Sequence, residues 1–205
     1  MTPALAIDGK ATIDFGENSI DVPPEQFDFT ITGQGQPGRW TLVRDVTGVD
    51  GVAIEQSSDD PTENRFSLAI YKAVSLRNVA ASIRLKVIKG RMQTAGIAFR
   101  FADPQNYYVV NASALEHRVD LFRVVGGKIK RIAGTDANVL LNSWHKLGVI
   151  AVDDYFTVSF DRARLFTVSD RTFLNSGRIG LWAEEDNVTR FEQLELKSLP
   201  SSEAR

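Results

Sequence analysis

The chain of 205 residues contains no cysteine and only two histidines. The absence of cysteine excludes a disulfide scaffold, a thiolate nucleophile and a zinc site built on cysteine ligands. His117 and His145 form neither a His-x-His nor a His-x-x-x-His pair, which argues against a transition-metal site. No Gly-x-Ser-x-Gly segment occurs, so the sequence lacks the nucleophile turn of the α/β-hydrolases.

Long apolar runs and strong charge of one sign are also missing. No apolar segment approaches the roughly 18 residues of a membrane-spanning helix, so we expect no membrane span. The net charge is −2 and no basic run of five or more residues occurs, so we expect no nucleic-acid partner. The first residues have neither a basic start nor an apolar core segment, so no signal peptide is visible.

The composition is typical of β-structure, with twelve phenylalanines and fifteen glycines against two methionines. Short alternating runs lie between turn signals spaced about every 8 to 12 residues, which predicts an all-β, two-sheet antiparallel sandwich. We expect an N-terminal arm or edge strand over 1–25, the sandwich domain over 26–197 and a frayed tail over 198–205. Trp40 and Trp144 each open a predicted strand, and we expect both in the core.

The stretch Gly96–Val125 is the most informative part of the chain, because it predicts three short strands in succession. Strict alternation in the first of them places Phe99 on one face and Arg100 on the other. Gly126 and Gly127 then predict a tight hairpin, since both central residues of such a turn adopt positive φ.

Several motifs together resemble the concanavalin A-like lectin/glucanase superfamily. They are Gly-Ile-Ala-Phe-Arg at 96–100, Asn-Tyr-Tyr at 106–108, Leu-Phe-Arg at 121–123 followed by Gly-Gly-Lys, Trp-His-Lys-Leu from 144, and Ser-Gly-Arg-Ile-Gly-Leu-Trp at 176–182 with Phe191 in the last strand. Within the superfamily the chain is most similar to laminin-G-like jelly rolls and to bacterial domains of the 3-keto-disaccharide hydrolase type.

This resemblance spans 27–196 and implies a β-jelly roll whose concave sheet is able to cradle a glycan. It favours a periplasmic or extracellular location, while a cytoplasmic location stays open. Two departures stand out: Asp161-Arg162 occupies a hairpin where relatives often have Asn-Gly or Asp-Gly, and the Glu-x-Asp-x-x-Glu motif of the laminarinase type is absent. The resemblance therefore does not bring the glucanase catalytic residues with it.

A glycan site requires an aromatic ring that stacks on the sugar and planar polar groups that bind its hydroxyls. By strand parity, we expect Arg100 and Asn111 to bind hydroxyls, and Tyr107 and Trp182 to stack on sugar rings. Cross-strand ion pairs and ordinary surface aromatics would give the same pattern, so a purely structural interpretation stays open. The predicted ligand-binding residues are Arg100, Tyr107, Asn111, Arg118, Phe122 and Trp182.

Two carboxylates are the candidates for catalysis. Glycoside hydrolysis uses a pair about 5–5.5 Å apart in retaining enzymes and about 6.5–9.5 Å apart in inverting ones. Asp120 lies within a predicted strand, on the face opposite Val119 and Leu121. Glu184 has the parity of Trp182 and would face outward. The alternative interpretation is that both are solvated surface charges.

Jelly rolls of this type often carry a structural calcium ion held by loop oxygens, and no other cofactor is expected. The oxygen donors near the first and last strands, which we expect to be neighbours, are Asp28, Asp186, Asn187 and Glu192.

The sequence therefore favours a non-catalytic carbohydrate-binding jelly roll whose partner is an oligo- or polysaccharide. One alternative is a glycoside hydrolase of the 3-keto-disaccharide hydrolase or glucanase type that uses the carboxylate pair. A second alternative is a laminin-G-like module that binds another protein. The sequence indicates neither the glycan nor the oligomeric state.

Overall fold

The computed structural model describes residues 9–13, 15 and 20–201, and these form fifteen β-strands and no helix. Accordingly, this part of the chain offers no helix with the length and apolar character that a membrane crossing requires. The strands are β1 (Lys10–Ile13), β2 (Phe27–Thr32), β3 (Trp40–Arg44), β4 (Val52–Gln56), β5 (Phe66–Tyr71), β6 (Val79–Lys89), β7 (Thr94–Asp103), β8 (Asn106–Ser113), β9 (Arg118–Val125), β10 (Lys128–Asp136), β11 (His145–Val152), β12 (Tyr155–Phe160), β13 (Ala163–Ser169), β14 (Arg178–Glu184) and β15 (Val188–Ser198).

The strands form two antiparallel sheets packed face to face. The seven-stranded sheet, here the front sheet, has the order β10-β9-β8-β7-β14-β5-β2. The eight-stranded sheet, here the back sheet, has the order β13-β12-β11-β6-β15-β4-β3, with β1 paired to β15. The chain crosses from one sheet to the other in eight connections, namely β1–β2, β2–β3, β4–β5, β5–β6, β6–β7, β10–β11, β13–β14 and β14–β15. The predicted all-β jelly roll is thus confirmed.

Alternation along each strand separates the core from the outer face. In β9, Val119 and Leu121 are buried between the sheets, whereas Asp120 and Phe122 lie on the opposite side. The same period places Trp182 of β14 on the outer side of the front sheet. Each fully buried side chain of leucine size stabilises the fold by about 1.5–3 kcal/mol. A shift of one residue would expose the buried face of a strand, so the face on which each residue lies is strongly determined.

The last strand joins the most partners in the back sheet. β15 pairs with β6 along one side, and on the other side first with β4 and then with β1. A register shift between Glu192 and Glu195, with Gln193 at φ +53°, separates the two halves and marks a β-bulge. Within the predicted N-terminal arm, Lys10–Ile13 therefore forms an edge strand against β15.

The front sheet curls until its edge strand β2 contacts β8. Thr32, at the end of β2, places Oγ1 2.8 Å from Oη of Tyr107 on β8, although three strands separate β2 from β8. The same hydroxyl donates to the carbonyl of Pro104 in the β7–β8 turn. The hollow so formed is filled by side chains that we call the aromatic plug: Phe66, Leu68, Ile70, Ala98, Phe101, Tyr107, Val109, Val124 and Trp182.

The two tryptophans expected in the core behave differently. Trp40 is buried, as predicted. Trp144 is only half-buried and donates from Nε1 to Thr47 Oγ1, so the prediction for it is wrong. The reason is parity, because the core residues of β11 are the odd-numbered ones such as Leu147 and Val149. Trp144 therefore belongs to the outer face of the back sheet.

Candidate functional site

A pocket of about 130 Å³ opens on the curled outer face of the front sheet, beside the aromatic plug. Side chains of β7, β8, β9 and β14 point into it because alternate residues of each strand share that face. The turn between β8 and β9 and the segment before β7 complete its rim. The lining residues of this front-sheet pocket are Met92, Thr94, Asn111, Ser113, Leu115, Glu116, Asp120, Phe122 and Glu184.

Asn111 is a polar side chain of the pocket whose amide is free to bind a ligand. It is only 4% exposed, yet its amide makes no hydrogen bond with any other described residue. Gly96 lies directly opposite on β7, where a Cβ would come within 2.7 Å of the Asn111 Cα, so the close approach of the two strands requires glycine. Since Asn111 lines the pocket, its amide is open to a hydrogen-bond partner from solution.

Asp120 is held rigidly by two guanidinium groups. Arg118 donates to both carboxylate oxygens, over 2.6 and 3.1 Å, and Arg131 donates from Nε over 2.5 Å. A Cβ at Gly134, opposite on β10, would lie 1.8 Å from Asp120 Oδ1, so glycine there makes room for the carboxylate. A bidentate arginine–carboxylate pair fixes both groups in one plane. Asp120 therefore presents its carboxylate to the pocket in a fixed orientation.

Glu184 has the opposite environment. Its carboxyl group forms no hydrogen bond or ion pair with another described residue. Burial, reinforced by the neighbouring charges of Glu185 and Glu116, raises the pKa of Glu184 from 4.5 to about 7. Near neutral pH this group is therefore able either to donate or to accept a hydrogen bond.

The two carboxylates considered for catalysis line the same pocket but sit on distant strands. β8 and β7 lie between β9 and β14, which on a flat sheet separates the two backbones by about 14 Å. Only the curl of the sheet and the lean of the side chains bring Asp120 and Glu184 closer. Asp120 is bound by two arginines, whereas Glu184 has no such partner in the described part of the chain.

Tyr107 and Trp182 lie on the predicted face but are covered. Both side chains are fully buried in the aromatic plug, where Trp182 stacks on Phe66 with ring centroids 5.0 Å apart. Trp182 Nε1 donates to Tyr107 Oη over 3.3 Å, and burial raises the pKa of Tyr107 to about 12. The structure therefore corrects the prediction that sugar rings stack on these two residues.

Arg100 lies on the other side of the sheet. It has φ +46° at a register shift of β7, where one extra residue inverts the alternation, so that Phe101 joins the plug. Its guanidinium lies 5.2 Å from the Phe156 ring and donates to the carbonyls of three residues, namely Arg77, Asp153 and Phe173. The prediction that Arg100 shares a face with Tyr107 is wrong.

The four oxygen donors considered for calcium do not meet. β2 and β15 lie in different sheets, so the expectation that these strands are neighbours is wrong. Asp28 pairs with Arg178 over 2.6 Å, and Glu192 pairs with Arg84 over 2.7 Å. Asp186 and Asn187 accept from the backbone amides of Arg91 and Gln93. Within residues 9–13, 15 and 20–201, no group of three or more histidine, aspartate or glutamate side chains is arranged to hold a metal ion.

Parity predicted that Asn111, Arg118, Asp120 and Phe122 share one face of the sheet and that Glu184 faces outward. Four of them line the front-sheet pocket, and Arg118 contacts it through Asp120. The residues that sequence reasoning missed come from two sources. Thr94 on β7 and Ser113 on β8 point to the same face as the other pocket residues, so strand alternation alone could have identified them. Met92, Leu115 and Glu116 come from segments outside the strands, and their approach depends on tertiary structure.

Comparison with solved structures finds this fold in several carbohydrate-active proteins. The carbohydrate-binding module CBM66 from Bacillus subtilis has a TM-score of 0.68 and 21% identity, covering 85% of this chain and 98% of that chain. A β-glucanase from Bacillus licheniformis has a TM-score of 0.60 and 8% identity, covering 95% and 100%. A B. subtilis protein of unknown function with a galectin-like fold has a TM-score of 0.58 and 10% identity, covering 83% and 89%.

These similarities establish the fold, and they confirm at that level the resemblance to the concanavalin A-like lectins and glucanases. A scan against models of protein families finds no match, and a search of curated proteins by sequence finds none either.

Proposed function

We propose that this protein is a non-catalytic carbohydrate-binding jelly roll that holds a sugar on the concave face of its front sheet. The observation that carries the proposal is Asn111, a nearly buried residue that lines the front-sheet pocket and whose amide has no hydrogen-bond partner among the described residues. The shared fold with a carbohydrate-binding module supports it. The proposal includes an extracellular or periplasmic location, where the protein would encounter polysaccharide.

Each part of the pocket has a distinct role in this proposal. The Asn111 amide donates to one sugar hydroxyl and accepts from another, while the Phe122 ring contacts the C–H face of the sugar. Asp120, fixed by Arg118 and Arg131, offers its remaining lone pairs to hydroxyl donors. This set replaces the earlier combination of Arg100, Tyr107 and Trp182, whose groups are turned away or covered.

The test is glycan-array screening followed by calorimetric titration of the best ligand. Asn111→Ala is expected to weaken binding by about tenfold or more, because a desolvated hydrogen-bonding group is lost from the centre of the site. Asn175→Ala, an exposed asparagine in the loop before β14, is the matched control and is expected to stay within about twofold.

Two results would contradict the proposal: wild-type protein that binds no glycan, or a folded Asn111→Ala variant with unchanged affinity. Binding of a protein partner that persists in Asn111→Ala and Phe122→Ala would instead favour the laminin-G-like alternative.

The glycosidase alternative is favoured by one observation, the shared pocket of Asp120 and Glu184. A carboxyl group with a pKa of about 7 suits a general acid that protonates a glycosidic oxygen at neutral pH. Release of reducing sugar from a polysaccharide panel, abolished in both Glu184→Gln and Asp120→Asn, would replace the non-catalytic proposal with this one. Sugar binding without release would leave the binding module in place.

A further inference from the structure

A long groove crosses the outer face of the back sheet, on the side of the molecule away from the front-sheet pocket. It consists of three hollows of about 310, 380 and 410 Å³ that share lining residues. Its floor is formed by Ser82, Gly148 and Ser159, which are direct cross-strand partners on β6, β11 and β12. Small side chains on three adjacent strands lower the surface there, and the longer neighbours on either side become walls. We call this feature the back-sheet groove.

The walls of the back-sheet groove carry more positive than negative charge. Glu195 accepts from Lys10 over 3.0 Å and from Lys146 over 2.8 Å, so one carboxylate is shared between two ammonium groups. These two lysines hold the pKa of Glu195 low, at about 2, even though its partial burial opposes this, and the group stays ionised. Because two lysines share one carboxylate, one positive charge at the middle of the groove is not neutralised. The cationic lining residues are Lys10, Arg84, Lys146, Arg162 and Lys197, against the two acidic lining residues Glu195 and Asp161.

Two of these cations have no acidic partner. In the described part of the chain, no carboxylate lies within 4.0 Å of the charged nitrogens of Arg162 or Lys197, and both side chains are exposed. Arg162 also has φ +72° in the β12–β13 turn, next to Asp161 at φ +45°. Glycine or asparagine is favoured at such positions, so an arginine there is held at a conformational cost. The turn aims an unpaired cation over one end of the groove.

We propose that the back-sheet groove binds an acidic polysaccharide, a chain whose sugar carboxylates meet the row of cations and whose hydroxyls meet the serine-lined floor. The positive groove contrasts with a net charge of −2 for the whole chain, so the complementarity is local. The chain has no basic run and a pI of about 5.8, so it lacks the broad basic surface typical of nucleic-acid-binding proteins, and single-stranded DNA serves as the competing polyanion in the test. The site is independent of the sugar held in the front-sheet pocket.

The experiment titrates polygalacturonate into the wild-type chain, with dextran as the neutral comparator, at about 50 mM salt, where screening is moderate. The double variant Arg162→Gln/Lys197→Gln is expected to lose about tenfold in affinity, since two exposed ion contacts contribute modestly each. The matched control is Lys128→Gln/Lys130→Gln, which removes the same charge from two exposed lysines on β10. It is expected to change affinity by less than about twofold.

Four results would overturn the proposal. They are wild-type protein that does not bind polygalacturonate, equal losses in both double variants, tighter binding of single-stranded DNA than of polygalacturonate at the same salt, and a loss in Asn111→Ala as large as in the groove variant. The last result would place the acidic chain in the front-sheet pocket. Preferential binding of polygalacturonate over dextran, weakened by added salt and by the groove variant alone, supports the proposal.

Discussion

Glu184 shows how the surroundings of one side chain set its chemistry. Its carboxyl group lies in a pocket with Glu116 close by and Glu185 next in the chain, and no cation pairs with it among the described residues. The folded state therefore holds its proton up to about pH 7, whereas the unfolded chain releases it near pH 4.5. A stability difference between these two pH values follows from linkage.

We predict that Glu184→Gln stabilises the protein at alkaline pH and not at acid pH. Below pH 4.5 the glutamate is protonated in both states, so it carries no penalty; between pH 4.5 and about 7 the folded state loses stability as pH rises. Above pH 7 the variant should be more stable by about 3 kcal/mol, from 1.36 kcal/mol for each unit of pKa. Urea unfolding at a series of pH values measures this difference.

Glu63→Gln, at an exposed loop position, is the control and should show no such pH-dependent gain. A difference between wild type and Glu184→Gln that stays constant from pH 4 to pH 9 would show that the carboxyl titrates normally.

At the scale of elements, the bulge in β7 decides which residues reach the front-sheet pocket. The strand has the composition of an uninterrupted alternating segment, yet its pairing with β14 shifts between Ala98 and Phe101. Arg100 takes the left-handed conformation there and turns into the space between the sheets. Its guanidinium holds carbonyls from three separate connections, namely those of Arg77, Asp153 and Phe173. The bulge thus ties β7 to the loops at one end of the sandwich.

We predict that Arg100→Met lowers the free energy of unfolding by about 3–5 kcal/mol, because it removes three charge-assisted hydrogen bonds from a buried guanidinium to backbone carbonyls. Arg178→Met, which removes a partly exposed arginine paired with Asp28, is the control and should cost about 1 kcal/mol or less. Chemical denaturation measures both. A loss for Arg100→Met no larger than that of the control would mean that the buried guanidinium is dispensable.

At the scale of the whole molecule, the curl of the front sheet divides its outer face in two. One part is sealed by the aromatic plug and the other remains open as the front-sheet pocket. The contact between Thr32 and Tyr107 closes the sealed part across three intervening strands. The plug supplies a second apolar cluster outside the main core, and it supports the strands from which the pocket residues project.

We predict that Tyr107→Phe destabilises the protein by about 1–3 kcal/mol, since Trp182 Nε1 loses its acceptor and Thr32 loses a partner in a buried site. Tyr155→Phe, at an exposed position on β12, is the control and should change stability by less than about 0.5 kcal/mol. Thermal unfolding of the purified variants tests this. Equal stability of the two variants would show that the hydroxyl does not hold the curl.

The sequence predicted what depends on local alternation and missed what depends on distant pairing. The face assignments of Asp120 and Glu184 follow from period-two patterns within single strands, and the structure places both as expected. The bulge at Arg100 has no compositional sign, because arginine is an unusual residue for a positive φ. The covering of Trp182 arises from a contact between strands far apart in the chain, so parity alone showed its face but not its burial.

The pairing of β1 with β15 places Lys10, near the start of the described chain, directly opposite Lys197, near its end. Cross-strand partners in an antiparallel ladder have Cα atoms about 4.5–5.5 Å apart. A domain with such adjacent ends is suited to insertion into a host protein, because the two connections to the host would lie side by side. Joining these ends with a short linker and opening the chain at the Gly126-Gly127 hairpin would yield a circular permutant with the same strand order in space.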